Sequence, residues 1–211
     1  MEKQIISKLL SWYAKSKRDL PWRVLQKNNL PNPYFVFVSE YMLQQTTVST
    51  VKTRFEEFTK KWPTLKDLAK TTEPKILKFW SGLGYYSRAR NLLKAAKIID
   101  KNFNCKIPNK YDDLISLPGI GDYTAKAIMG IGYNASVMPL DANIDRMFAR
   151  IYALNKPLIK IKKQLLEKSK NFCSQQQASN LIQSFMDYGS LICTPRNPNC
   201  SICGIQKFCL A

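Results

Sequence analysis

Leu117-Pro118-Gly119-Ile120-Gly121, running on as DYTAKAIMGIGY to residue 133, is the stretch on which the fold turns. A helix-like run, Asp112-Asp113-Leu114-Ile115-Ser116, precedes it, and a second helical run follows. Two glycines two residues apart let the backbone turn sharply and point N–H groups outward. The dipole of the following helix then makes the turn a natural seat for a phosphate. A dinucleotide loop is excluded, because no strand leads in and the third glycine is missing. The same residues also suit an ordinary turn between helices.

Outward from this turn the apolar spacing stays helical. Ile5, Leu9, Trp12 and Tyr13 form one stripe, Val48, Val51, Phe55 and Phe58 another, and Ile144, Met147, Phe148, Ile151 and Tyr152 a third. Gly and Pro punctuate the intervals at 31–33, Pro63, 82–84, Pro108 and 118–121. Val36-Phe37-Val38 could be a strand alone, but its continuation into EYMLQQT predicts a buried helix. The expectation is an all-α protein of about ten short helices, their ends placed to within a few residues.

The 211 residues suffice for one large domain or two small ones. Lys and Arg number 33 against 15 Asp and Glu, for a net charge of +18, and such an excess on a globular chain points to a polyanion, nucleic acid first. No run is long and apolar enough to span a bilayer, and the first residues lack the apolar core of a signal peptide. An intracellular, reducing location, a bacterial-type cytoplasm, is expected. There is no histidine. That excludes Ser-His-Asp triads, histidine acid–base catalysis and His-ligated metals.

Four of the six cysteines, Cys193, Cys200, Cys203 and Cys209, fall in C-x6-C-x2-C-x5-C spacing. Four thiolates on a short loop can hold zinc or a four-iron cluster, and the uneven spacing, with one C-x2-C pair, suits the bulkier cluster. Cys105 and Cys173 are expected to be ordinary thiols.

Two carboxylates stand in unusual places. Glu40, in Ser39-Glu40-Tyr41-Met42-Leu43-Gln44-Gln45-Thr46, sits in an apolar run, where desolvation raises a carboxyl pKa and fits it for general-acid work. Helical spacing also gives it a polar side shared with Gln44 and Thr47, so a wet helix face remains open. Asp141, in PLDANI, precedes an apolar-periodic helix and reads as its N-cap, bonds that would keep it ionised. A proton donor and a fixed negative charge are what cleavage through an oxocarbenium-like state requires.

Together RDLPWR (18–23), SEYMLQQT (39–46), GLGYYSRARNL (82–92), LPGIGDYTAKAI (117–128), PLDANIDR (139–146) and the cysteine loop resemble the helix-hairpin-helix DNA glycosylases of the endonuclease III superfamily, and within it the MutY-like adenine glycosylases. The resemblance implies two helical lobes with the active-site cleft between them: a six-helix barrel over 33–136, and a [4Fe-4S] lobe from 1–32 and 137–211. It implies excision of adenine opposite 8-oxoguanine or guanine from double-stranded DNA by a monomer that flips the base out. Glu40 would protonate N7 of adenine, Asp141 would stabilise the sugar cation, and Tyr123 stands where bifunctional relatives carry a Schiff-base lysine, so strand cleavage is not expected. Lys126 is not its equivalent. Arg18, Trp22, Arg23, Leu43, Gln45 and Gln183 would line the adenine pocket. Gln44 and Tyr85 would wedge into the stack. Gly119 and Gly121 would grip the backbone, with a monovalent cation on hairpin carbonyls, and Arg196 and Lys207 would meet phosphates. The insert VLQKNNLPN after PWR is longer than in the family, and the Nudix-like domain that follows in MutY proteins is not in this sequence. Two alternatives stay open: a glycosylase for T or U opposite G, and a non-catalytic iron–sulfur DNA-binding module.

Overall fold

The computed structural model describes residues 1–173 and 176–211. In chain order their helices are α1 (Glu2–Ser16), α2 (Pro33–Leu43), α3 (Val48–Lys61), α4 (Leu65–Ala69), α5 (Glu73–Trp80), α6 (Ser87–Phe103), α7 (Tyr111–Ile115), α8 (Asp122–Ala127), α9 (Ala142–Ile151), α10 (Leu158–Ser169) and α11 (Ala178–Leu191). A π-helical turn, Ile128–Gly132, prolongs α8. The described residues contain no strand, only an isolated bridge between Leu25 and Pro31 within the insert. The all-α expectation holds, and Val36-Phe37-Val38 lies inside α2.

The described residues divide into two compact units, 19–133 and the segments 1–18 with 134–211. Residues 19–32, which the sequence reading groups with the chain ends, belong to the first unit. The 3-10 turn Pro21–Arg23 packs on α2 and α3, with Trp22 edge-on to Phe55 at 5.5 Å between ring centroids.

In the first unit α2 is the axis. Asn32 caps it by accepting from Tyr34 N at 2.9 Å, and Pro33 supplies the first-turn φ. Residues 36–42 are all buried, so the helix is apolar nearly all round, as a core helix should be. Amphipathic α3 and α6 pack on it and α5 packs on α6, burying Val51, Phe55, Phe58, Ile76, Trp80, Leu92 and Ile99. The chain turns from α7 to α8 through Pro118-Gly119-Ile120-Gly121, the turn read from the sequence.

The second unit packs α1 on α11 and α9 on both α10 and α11. Its centre is the ring triangle Phe148, Phe172 and Phe185, with centroids 5.0 to 5.3 Å apart. Asp187 of α11 is fully buried, and it accepts from Arg18 Nε at 2.6 Å and Arg18 N at 2.9 Å. That pair ties the residues after α1 to α11. No helix is long and apolar enough to cross a membrane among the described residues.

Candidate functional site

In the first unit three short pieces of backbone meet: the C-terminal end of α2, the turn 82–85 and the hairpin 118–121. Glu40 lies on the last turns of α2 and is 6% exposed. The helix stops at Leu43. Gln44 is its C-cap, Gln45 takes a left-handed φ of 57°, and Thr47 turns away to cap α3. This corrects the expected polar face, because Thr47 is not on the helix that carries Glu40. Gln44 Nε2 donates to Gly119 O at 3.3 Å, and the Tyr41 hydroxyl donates to Pro118 O. The hairpin is thereby fastened to α2. Pro118 O and Gly119 O thus accept protein donors, and nothing observed supports the monovalent cation.

The two hairpin glycines differ. Gly119 has φ +80°, and an added Cβ would lie 2.9 Å from Asn91 Cβ and 3.0 Å from Tyr41 Cε1. Gly121 has ordinary φ and open space around it. Gly119 is therefore needed by the fold itself, whereas Gly121 leaves room for something outside the chain. Tyr123, on α8 just beyond, is half-buried, and Lys126 pairs with Asp122 at 2.8 Å. Tyr85 is 62% exposed with φ 47°. Trp22 is buried against Phe55 rather than presented on a surface, and Arg23 beside it is half-buried.

Arg88 was not anticipated. It is 5% exposed. Its Nη1 donates to the carbonyls of Tyr41 (3.3 Å), Met42 (2.9 Å) and Gln44. Its Nη2 donates to Leu83 O (2.7 Å), Gly84 O (3.1 Å) and Thr46 Oγ1 (3.0 Å). One nitrogen closes the end of α2, whose last carbonyls lack helical partners, and the other closes the glycine turn. A signal existed: Arg88 falls on the buried stripe of α6 with Leu92 and Ile99, where a charge needs a reason.

In the second unit, Asp141 caps α9, accepting from Ile144 N at 2.7 Å and Asn143 Nδ2 at 3.2 Å. Burial nonetheless outweighs those bonds and raises its pKa above the ordinary carboxylate value. The cap bonds lower it, as expected of an N-cap, and burial acts against them. Gln183 on α11 is 3% exposed; its Nε2 donates to Ser179 O at 3.1 Å, and its buried Oε1 has no hydrogen-bond partner. Such an orphaned acceptor points to a missing donor. Arg18 is committed to Asp187 and reaches Ser190 Oγ at 3.4 Å.

Cys193, Cys200, Cys203 and Cys209 line one cavity of about 230 Å³, with Met147, Ile151, Ile192 and Ile205 in its wall. Among the described residues no three such ligands converge closely enough for a single metal ion. Sulfurs spread round an apolar cavity fit a four-iron cluster better than one zinc. Donors face them: Arg150 Nη1 lies 3.3 Å from Cys193 Sγ and the Tyr188 hydroxyl 3.4 Å from Cys203 Sγ. Burial pushes the Tyr188 phenol up, so it stays a donor. Arg196 and Lys207 are exposed on this loop, and Cys105 and Cys173 lie elsewhere as half-buried thiols.

Comparison with known proteins agrees with this arrangement. Residues 193–209 match the iron–sulfur binding domain of endonuclease III. Adenine DNA glycosylase of Buchnera aphidicola (subsp. Baizongia pistaciae) is 40% identical over 202 residues, covering 95% of this chain and 56% of that protein. The human adenine DNA glycosylase is 36% identical over 209 residues, covering 96% of this chain and 38% of its own. The chain thus spans little more than half the length of the bacterial relative. A thermostable thymine-DNA glycosylase superposes with TM-score 0.87 at 27% identity, over 99% of this chain and 95% of its own. An endonuclease III in a non-covalent DNA complex shares the fold, with TM-score 0.76 at 18% identity over 100% of this chain and 95% of its own. Residues 38–175, which hold the C-terminal half of α2 with Glu40, the hairpin and the Asp141 cap, match the model of the HhH-GPD superfamily of base excision DNA repair proteins, and to that superfamily the chain belongs.

Proposed function

We propose that the chain is the catalytic part of an adenine DNA glycosylase. It acts on adenine opposite 8-oxoguanine or guanine in double-stranded DNA, flips that base out and hydrolyses its N-glycosidic bond without cutting the strand. The observation that carries this reading is Glu40, a carboxyl 6% exposed at the end of a buried helix, in a chain resembling adenine glycosylases over most of its length. Glu40 delivers a proton to N7 of adenine, which lets the base leave with the bonding electrons, and then takes a proton from the attacking water. Asp141 supplies negative charge for the sugar cation. Tyr123 has no amine with which to form an imine. Gln183 Oε1 accepts from the adenine amino group. Arg18, Trp22, Arg23, Leu43 and Gln45 surround the base. Gln44 and Tyr85 fill the gap in the stack, and the N–H groups at Gly119 and Gly121, with Arg196 and Lys207, hold phosphates. The four cysteines hold the [4Fe-4S] cluster, which when bound cross-links the loop carrying those two basic residues. The working form is a monomer.

Single-turnover base release from duplexes with one A:8-oxoguanine, A:G, T:G or U:G pair tests this. Adenine is expected from the first two, and Glu40→Gln is expected to slow release by at least about 100-fold, the lower range for losing a general acid. The likeness to a thymine-DNA glycosylase favours a second reading, removal of T opposite G. Thymine released while adenine is retained would establish that reading instead. No release from any duplex would leave an iron–sulfur DNA-binding module.

A further inference from the structure

Arg88 joins the two loops to which the proposed stack-filling residues belong. Gln44 O accepts from Nη1 and Gly84 O from Nη2. These carbonyls belong to the peptide groups just before Gln45 and Tyr85, the two non-glycine residues of the region with left-handed backbone, at φ 57° and 47°. A non-glycine residue there is strained and persists only where its surroundings over-determine it. The guanidinium also lies 5.6 Å from the Tyr85 ring centroid and 5.7 Å from that of Trp80. It therefore lies within cation–π range of the Tyr85 ring and bonds the backbone leading into it, while bonding the backbone that carries Gln44. No other side chain reaches both loops with charged donors in the hydrogen bonds observed among the described residues, and Thr46 Oγ1, which accepts from Arg88 Nη2, itself donates to Leu83 O at 3.5 Å.

We infer that Arg88 is the positioning residue that sets Gln44 and Tyr85 at a fixed separation for base extrusion. Its planar fork, whose two nitrogens together serve both loops, is the feature lysine cannot reproduce. The inference rests on the glycosylase reading, since it assigns the two wedges a common holder. It does not give Arg88 contact with the reacting atoms.

Arg88→Lys, Tyr85→Ala and the double variant test it in the iron-loaded protein. Arg88→Lys is expected to slow single-turnover release of adenine about 100-fold, the loss typical of misplacement by an ångström. The Kd for the duplex should change less than about threefold, because phosphate contacts dominate affinity. Tyr85→Ala should then cost less than about threefold on top of Arg88→Lys, since residues acting as one unit are not additive. Thr46→Val, which keeps Arg88 and removes one acceptor, carries the same test of non-additivity if Arg88→Lys does not fold. Multiplying losses, or release within about threefold of wild type in both variants, would overturn the inference. If the wild type releases no base, the glycosylase reading fails by itself. The inference is then read from 2-aminopurine at the target position: a fluorescence rise on wild-type binding that is absent with Arg88→Lys supports it, and an equal rise overturns it.

Discussion

Two stretches of irregular backbone carry most of the proposed DNA contacts, and arginines hold each of them differently. At the end of α2 and the glycine turn, one buried guanidinium gathers five carbonyls and a hydroxyl. Around the cysteine loop, two half-buried arginines share the work. Arg146 donates to Cys193 O (2.9 Å) and Gly189 O (2.6 Å), and Arg150 donates to Thr194 O (2.8 Å) and Pro195 O (3.1 Å). The cysteine loop has a second fastening in its four thiolates. The α2 region has only neutral fastenings besides Arg88 in the hydrogen bonds observed among the described residues: Tyr41 on Pro118, Gln44 on Gly119, Trp80 Nε1 on Gly84 O and Thr46 Oγ1 on Leu83 O. Where a metal centre can cross-link a loop, wet arginines suffice. Where it cannot, the chain accepts the desolvation of a charge.

The largest effect should come from removing the second fastening. Cys203→Ser should abolish stoichiometric iron and make 193–209 protease-sensitive while 19–133 stays protected, since binding at structural thiolate sites is worth on the order of 10 kcal/mol. Full iron content, with the loop still resistant, would break the comparison. Next, Arg88→Met should cost about 3–5 kcal/mol in urea unfolding by orphaning buried carbonyls, and Arg150→Met only about 1 kcal/mol with iron bound. Equal losses would mean that the cluster carries none of the load.

Smaller effects sharpen the hairpin's place in the α2 region. Gly119→Ala should cost about 2 kcal/mol, because its Cβ meets Asn91 and Tyr41 at positive φ. Gly121→Ala should leave stability within about 0.5 kcal/mol yet weaken duplex binding. Calorimetry and a filter-binding titration separate the two. The smallest concerns Asp141. Its folded pKa lies above the unfolded value of 3.8, so its contribution to stability is present below that value and is lost as pH rises through the folded pKa. Asp141→Asn keeps a capping acceptor and removes the titration. Its urea midpoint should match wild type near pH 3 and equal or exceed it near pH 7. A larger deficit at pH 7 would show that the cap bonds outweigh burial.

Much of this was legible from residues. The helical stripes of α1, α3 and α9 fall where Ile5, Leu9, Val51, Phe55, Ile144 and Phe148 are buried. The turn at 117–121 and the four cysteines announce themselves by spacing. Arg88 was not legible as a clamp, because its partners are carbonyls, which every residue possesses and no sequence distinguishes. Trp22 reads as a pocket residue by resemblance, while the packing of its ring against Phe55, a contact between residues 33 positions apart, was not legible. The burial of Asp141 was not legible for a related reason: the cap is local and visible, whereas the burial that opposes it is assembled from distant parts of the chain.

The sequence by itself determined an all-helical chain with a two-glycine turn between helices, four clustered thiols, a strong positive charge and no histidine chemistry, since periodicity, glycine spacing and composition act over a few residues. Only the tertiary structure decided which glycine the fold requires, where the α2 helix stops, that Asp187 pairs with Arg18, and that one arginine holds two loops. Those outcomes depend on desolvation and on backbone acceptors brought together from far apart in the chain.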